Sequence, residues 1–447
     1  MKNMSEVVIT GMGIVSPIGI GLDNFWNSLL KKSSGARFSD HYSLDTVSQI
    51  KGLPFPITAD IPNFTASRLK QWKILKKNQK VMSRDIQLGI EAADEAREMS
   101  ELTEKPVNPE RQGILFGAMM IMPDLTELVD AFRSCMDEQN QFIMSNMGYG
   151  FNLMQPLWML KYLPNMTACH IGIAYDLRGP SNTLVNGETS GISAMLEAAR
   201  VIQRGQADLM YTGGTSCCTS PTTWVKYEIY GISKETEHPE KAVRPFDIHR
   251  SGIIFGEGAA SCILESRESA KQRNVKILGS ILSWAETTEP AWEHHKNLQN
   301  KDEKICLQPE MFTGKSIENA IYLAMTRAGI SKNDLAFVMA SGYGTAHGDK
   351  VEAEAIHRTL GDIPVTAIKG ATGYSLAGSG NMNIVATMHA LRKGLIPPAT
   401  NCEEIAPECP ISVVTQNPIP TDKRTALVIN YNFYGQVSVV ILKREEE

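Results

Sequence analysis

The sequence has no cysteine pair at C-x-x-C spacing and no histidine at metal-ligand distance from a cysteine. Its eight cysteines (Cys135, Cys169, Cys217, Cys218, Cys262, Cys306, Cys402 and Cys409) are scattered along 447 residues. That pattern offers no metal site and no disulfide framework. The neighbours Cys217 and Cys218 are read as reduced, buried thiols. His294 and His295 are read as a solvated loop, because no matched ligands accompany them. No apolar run approaches the ~20 residues needed to cross a bilayer. Nor does Met1–Glu6 resemble a secretory signal, since it leads straight into a strand. Cationic excess is also missing: 44 Lys and Arg face 49 Asp and Glu, a net charge of −5. A phosphate-rich partner favours the opposite balance, so nucleic acid is not expected. What remains is a cytoplasmic globular chain, 43% hydrophobic and 21% charged, without metal, cofactor or membrane span.

The most informative stretch is Gly179-Pro180-Ser181-Asn182-Thr183-Leu184-Val185-Asn186-Gly187-Glu188-Thr189-Ser190-Gly191. It predicts a short strand over Thr183 to Val185, a tight turn, and a helix with Ile192, Met195, Leu196, Ala199 and Ile202 on its buried face. Glu188 stands where strand gives way to helix, facing the free N–H groups and positive dipole end of the first turn. Enzymes place nucleophiles on such elbows, because the adjacent N–H stabilises an oxyanion. Here the tip carries a carboxylate.

The wording around this elbow resembles the active-site segment of the β-ketoacyl-acyl carrier protein synthases, the condensing enzymes of fatty acid and polyketide assembly. Their GP-S, A-C-x-S-G, G-x-A-D and Gly-Gly pattern is similar to Gly179-Pro180-Ser181, Ser190-Gly191, Gly205-Gln206-Ala207-Asp208 and a Gly213-Gly214 turn. Val8–Pro17 resembles the family's opening strand, and Arg244-Pro245-Phe246-Asp247 with Gly256-Glu257-Gly258-Ala259 its central loop and strand. The resemblance covers nearly the whole chain. It implies a thiolase-like duplicated α/β fold of α/β/α/β/α layers, with an N-terminal half over 1–265 and a C-terminal half over 275–447.

The resemblance fails at the reacting positions. The family's nucleophilic Cys is Glu188 here. Its first histidine lies in A-H-G-T-x-T-x-x-G-D, and the matching Ala340-Ser341-Gly342-Tyr343-Gly344-Thr345-Ala346-His347-Gly348-Asp349 puts Ser341 in its place. His347 is six residues too late to substitute. The second histidine, of K-S-x-x-G-H, is Tyr374, while Lys369 is retained, as is Glu352. Condensation needs a thiolate to carry the acyl chain and imidazole donors to stabilise the enolate formed on decarboxylation. Glu188, Ser341 and Tyr374 supply neither, so the chain is not expected to condense alone.

The resemblance therefore points to a chain length factor, the non-condensing paralogue that pairs with an active ketosynthase in fatty acid, polyketide or polyene elongation. Expected partners are that ketosynthase, as a heterodimer, and an acyl carrier protein, with a homodimer as the form adopted alone. Two alternatives stay open. One is a malonyl-carrier-protein decarboxylase or otherwise rewired enzyme using Glu188 as a base. The other is a relocated nucleophile, Cys169 ahead of Cys217.

Further along the chain, the family's acyl pocket and dimer interface correspond to Met119–His170, rich in Met and aromatic residues. Met120 matches the position that limits pocket depth, and Phe433, in Asn432-Phe433-Tyr434-Gly435-Gln436, the aromatic gate. Flexible thioethers suit a surface that accommodates a long apolar ligand. Ser266–Asn274 is expected as a polar connector into a strand from Val275. Asp349 and Glu352 are expected as N-cap and N3 of a capping box.

Overall fold

The computed structural model describes residues 5–39, 57–66, 68, 77–121, 127–227, 231–289, 311–432 and 434–446. Its N-terminal portion runs β1 (Val7–Ser16), α1 (Leu22–Leu30), α2 (Arg84–Met99), β2 (Gln112–Gly117), α3 (Met166–Tyr175), β3 (Ser181–Leu184), α4 (Ser190–Gln203), β4 (Leu209–Cys217) and β5 (Glu257–Ser266). The remainder runs β6 (Gly279–Thr288), α5 (Lys315–Ala328), β7 (Leu335–Met339), α6 (Ala346–Leu360), β8 (Pro364–Thr366), α7 (Leu376–Lys393), β9 (Ser412–Val413), β10 (Thr425–Tyr431) and β11 (Gln436–Arg444).

These strands form one sheet, ordered β9-β8-β7-β10-β11-β6-β1-β5-β4-β2-β3, with a further two-residue strand, Gly19–Ile20, hairpinned onto β1. The seam is β1 against β6, antiparallel and only two residue pairs long, Val8 with Ser280 and Ile9 with Gly279. Outward from the seam, both sides repeat one plan. From β1 the neighbours β5 and β4 are antiparallel, and then β2 and β3 are parallel. From β6 the neighbours β11 and β10 are antiparallel, and then β7 and β8 are parallel, with β9 added at the edge. Counting strands within each side, the first five run first, last, last but one, second, third in both. The duplication implied by the resemblance is therefore present in the topology.

Five layers follow. Helix α2 covers β1, β5 and β4 on one face, joined by α3. Helices α4 and α7 lie between the two sides of the sheet, α7 touching β4 and β5 on one side and β10 and β11 on the other. Helix α5 covers β6 and β11 and packs on α6. A strand covered by helices on both faces needs no polar alternation, and all ten residues of β1 are buried. For the same reason α7 is buried at every residue from Leu376 to Leu391. Helix α4 goes further than one apolar face: only Glu197, Arg200 and Gln203 escape burial.

Three local expectations are corrected. Gly213 and Gly214 do not turn the chain; they lie inside β4, where a Cβ on Gly214 would meet the Ala377 carbonyl oxygen at 2.2 Å. The 266–274 connector is helical over Arg267–Arg273, its Ser266 cap accepting the Ser269 N–H, and the next strand begins only at Gly279. Helix α6 starts at Ala346 with Thr345 as its N-cap, so Asp349 and Glu352 lie inside the helix and form no capping box.

Candidate functional site

The elbow is a single 3₁₀ turn, Gly187–Thr189, feeding directly into α4. Ser190 fastens it: its Oγ accepts the Asn186 N–H at 2.7 Å and donates to the Gly187 carbonyl at 2.5 Å. Thr189 Oγ1 donates to the Asn186 carbonyl at 3.0 Å. Gly191 is required because α7 passes so near; a Cβ there would sit 1.9 Å from Asn381 Oδ1 and 2.5 Å from the Ala377 carbonyl oxygen. From β10, Asn430 Nδ2 donates to the Glu188 carbonyl at 2.7 Å.

Glu188 is buried, 1% exposed, and its Oε1 accepts the hydroxyl of Tyr374, which is equally buried. The two stand at equivalent places in the duplicated plan. Glu188 is two residues before α4, Tyr374 two residues before α7, and these are the two central helices. The two residues that the resemblance aligns with the nucleophile and the second histidine are thus joined by a hydrogen bond across the middle layer.

Ser341, which the resemblance aligns with the first histidine, follows β7. Its N–H donates to Glu352 Oε1 at 2.7 Å and its Oγ to the Ile429 carbonyl at 3.2 Å. The retained acids act on the same loop. Glu352 also accepts the Gly342 N–H at 2.9 Å, and Asp349 accepts the N–H groups of Gly344 at 3.0 Å and Phe246 at 2.7 Å. Lys369 Nζ donates to the Ser341 carbonyl at 2.6 Å and lies 4.4 Å from the centroid of the Tyr343 ring. Burial pushes the Asp349 carboxyl up to about 6, against its backbone donors. Burial likewise raises Glu352 and lowers Lys369, while the opposite charge of each resists the other's shift. Lys369, Asp349 and Glu352 therefore brace the Ser341–Gly344 loop, work that requires no condensation chemistry.

Sequence reasoning missed the aromatic residues here. Tyr343 is fully buried, edge-on to Tyr374 at 5.3 Å and to Tyr431 at 4.9 Å, and its hydroxyl donates to the Tyr431 carbonyl. Phe312 stacks on Tyr431 at 5.1 Å, and Phe255 lies 6.2 Å from Tyr374. One signal was legible: Tyr343 occupies a Thr position of the resembled motif. Cys218, in the segment after β4, was also passed over as a neighbour of Glu188. Burial, with Asp85 and Glu188 nearby, pushes its thiol well up, so it is not a thiolate.

The other candidates are dispersed. Cys217 ends β4, its N–H on Asp85 Oδ1 at 2.6 Å, and burial holds its thiol well up. Cys169 is half-buried on α3, its sulfur accepting from Asn165 Nδ2 one turn earlier at 3.6 Å. Met120 lies just beyond β2 and is 57% exposed. Phe433, His294, His295 and Cys306 lie outside the described residues. His347 Nε2 meets the Phe312 carbonyl at 2.9 Å, away from Glu188. Two surface clefts, of about 410 and 550 Å³, are lined by other residues (Arg97, Tyr175 and Tyr211 in one, Lys276, Arg392 and Arg444 in the other). Among the described residues no cluster of three His, Cys, Asp or Glu could hold a metal ion, and no helix is long and apolar enough to cross a membrane.

Comparison with known proteins agrees with this architecture. Residues 4–270 match the family description "Beta-ketoacyl synthase, N-terminal domain", and residues 300–403 match "Beta-ketoacyl synthase, C-terminal domain". The chain belongs to the β-ketoacyl synthase family. It is 27% identical over 445 residues to a 3-oxoacyl-[acyl-carrier-protein] synthase 2 of Coxiella burnetii, covering 98% of each chain. Among solved structures, a β-ketoacyl synthase from Burkholderia phymatum superposes with a TM-score of 0.84 at 23% identity, covering 99% of this chain and 100% of that one. The ishigamide ketosynthase/chain length factor does so with a TM-score of 0.81 at 23% identity and the same coverage.

Proposed function

We propose that this chain is a chain-length-factor-like subunit, a non-condensing partner of an active ketosynthase. In this reading residues 1–265 and 275–447 are its two thiolase-like halves, and it works in the cytoplasm on chains carried by an acyl carrier protein. The observation that carries the proposal is the buried hydrogen bond from Tyr374 to Glu188, with Ser341 turned to the Ile429 carbonyl. Neither a thiolate nor an imidazole stands at the elbow, so the covalent and enolate-stabilising steps lack their groups. Of the two rewired alternatives, the relocated nucleophile is disfavoured by the burial that pushes the Cys217 thiol up and by the placement of Cys169 on α3.

An exposed apolar face supports pairing. Met120, Phe142, Met144, Phe151, Leu157 and Met159 are each at least 45% exposed. Exposed large apolar side chains in such number are a mark of an interaction surface. In the pair, Met120 would limit the depth of the acyl pocket, and Phe433 would gate it.

The test is condensation of acyl- and malonyl-carrier protein by the lone chain and by the chain co-expressed with its ketosynthase. The lone chain is expected to give neither product nor carbon dioxide, and the pair to give products of defined length that shorten with Met120→Trp. Turnover by the lone chain that Glu188→Ala abolishes would replace this reading with the rewired enzyme.

A further inference from the structure

We propose that the elbow is occluded as well as disarmed, with Tyr343 and Tyr374 as the residues that exclude a thioester arm from Glu188. The inference rests on the non-condensing reading and adds to it the reason no acyl group could be accepted even if a thiol were present.

The rings form an unbroken train through the site. Tyr227 lies 6.3 Å from Phe255, which leads to Tyr374, Tyr343, Tyr431 and Phe312 at centroid distances between 4.9 and 6.2 Å. None of the six is more than 5% exposed. The two central rings are also tied at their hydroxyls, Tyr374 to the Glu188 carboxylate and Tyr343 to the Tyr431 carbonyl. Lys369 Nζ against one face of Tyr343 blocks a further direction of swing. Rings interlocked in this way and anchored by buried hydrogen bonds do not move aside independently; one leaves only by breaking its neighbour's contacts. At the resembled motif's Thr position a short side chain would leave the space of a phenol ring beside the elbow. Tyr343 takes up that space. Mutating the nucleophile position alone would accordingly not reopen the centre.

The experiment places a thiol at the elbow by Glu188→Cys and reads its alkylation by iodoacetamide in the folded chain, using peptide mapping to separate it from the native cysteines. Labelling in Glu188→Cys is expected to be slower by about tenfold or more than in Glu188→Cys/Tyr343→Thr, because it must wait on local opening. Equal labelling of the two variants would overturn the occlusion and leave the non-condensing role standing. That role instead falls to condensation by the unmodified chain, which this assay does not read. A second measurement covers the case in which Glu188→Cys misfolds. In the otherwise native chain, Tyr343→Ala should open a buried cavity that takes up phenol, raising the thermal unfolding midpoint of the variant and not of the parent. A midpoint that phenol leaves unchanged in the variant would count against the plug.

Discussion

Glu188 and Tyr374 sit 186 positions apart in sequence and share one hydrogen bond in a region closed to solvent. A carboxylate so placed depends on its donors, because a buried acceptor left short of one keeps its desolvation cost. Tyr374→Phe is therefore expected to lower stability by about 1–3 kcal/mol, read as a lower urea midpoint with unchanged slope. Glu188→Leu combined with Tyr374→Phe should cost less than the sum of the two single changes. At this scale the sequence singled out Glu188, Ser341 and Tyr374 by their places in linear motifs, and two of them, Glu188 and Tyr374, meet in the structure. The roles of Asp349 and Glu352 were not legible. Acidic residues three apart near a helix start resemble a capping box, and their carboxylates reach equally well to loop N–H groups ahead of the helix, as happens here. Tyr431 and Phe312 carried no local signal, since their places are set by contacts with residues far away in the chain.

Helices α4 and α7 are the elements on which the site depends. They approach closely because Gly191 presents no side chain to Ala377 and Asn381. Gly191→Ala puts a methyl group where the Asn381 side chain and the α7 backbone already are, and one helix has to shift. The expected loss is about 1–3 kcal/mol or more, measured by denaturant unfolding. It should be accompanied by faster alkylation in the Glu188→Cys background, since the elbow moves with α4. Of the two helices, α4 was readable from its apolar spacing. Their full burial was not readable, because the second covering layer of each comes from the other side of the duplicated sheet.

For the whole molecule, the fold leaves β3 and β9 as the terminal strands of the sheet among the described residues, and a group of apolar side chains between Met120 and Met159 exposed. Met144 and Leu157 are 74% and 65% exposed. Met144→Asp and Leu157→Asp are expected to leave unfolding midpoints nearly unchanged, as surface substitutions do. Under the proposed pairing, their effect should fall on assembly: the mass of the co-expressed pair by light scattering should drop to that of separate chains. The double α/β organisation was legible only through the family resemblance. The strand order common to both sides of the seam was not, since it rests on long-range pairing.

The equivalence of the two elbows also has a temporal side. A ribosome adds roughly 5–20 residues each second. The 186 positions between Glu188 and Tyr374 thus amount to a delay of about 10–40 s during which the carboxylate has been made and its phenol has not. For the later part of that interval α4, β4 and β5 have been made, while α7, which packs against all three, has not. The nascent chain must pass through a period of self-exposure that neither side can shorten by folding alone, which makes the order of synthesis, and the helpers present during it, part of how this centre is built.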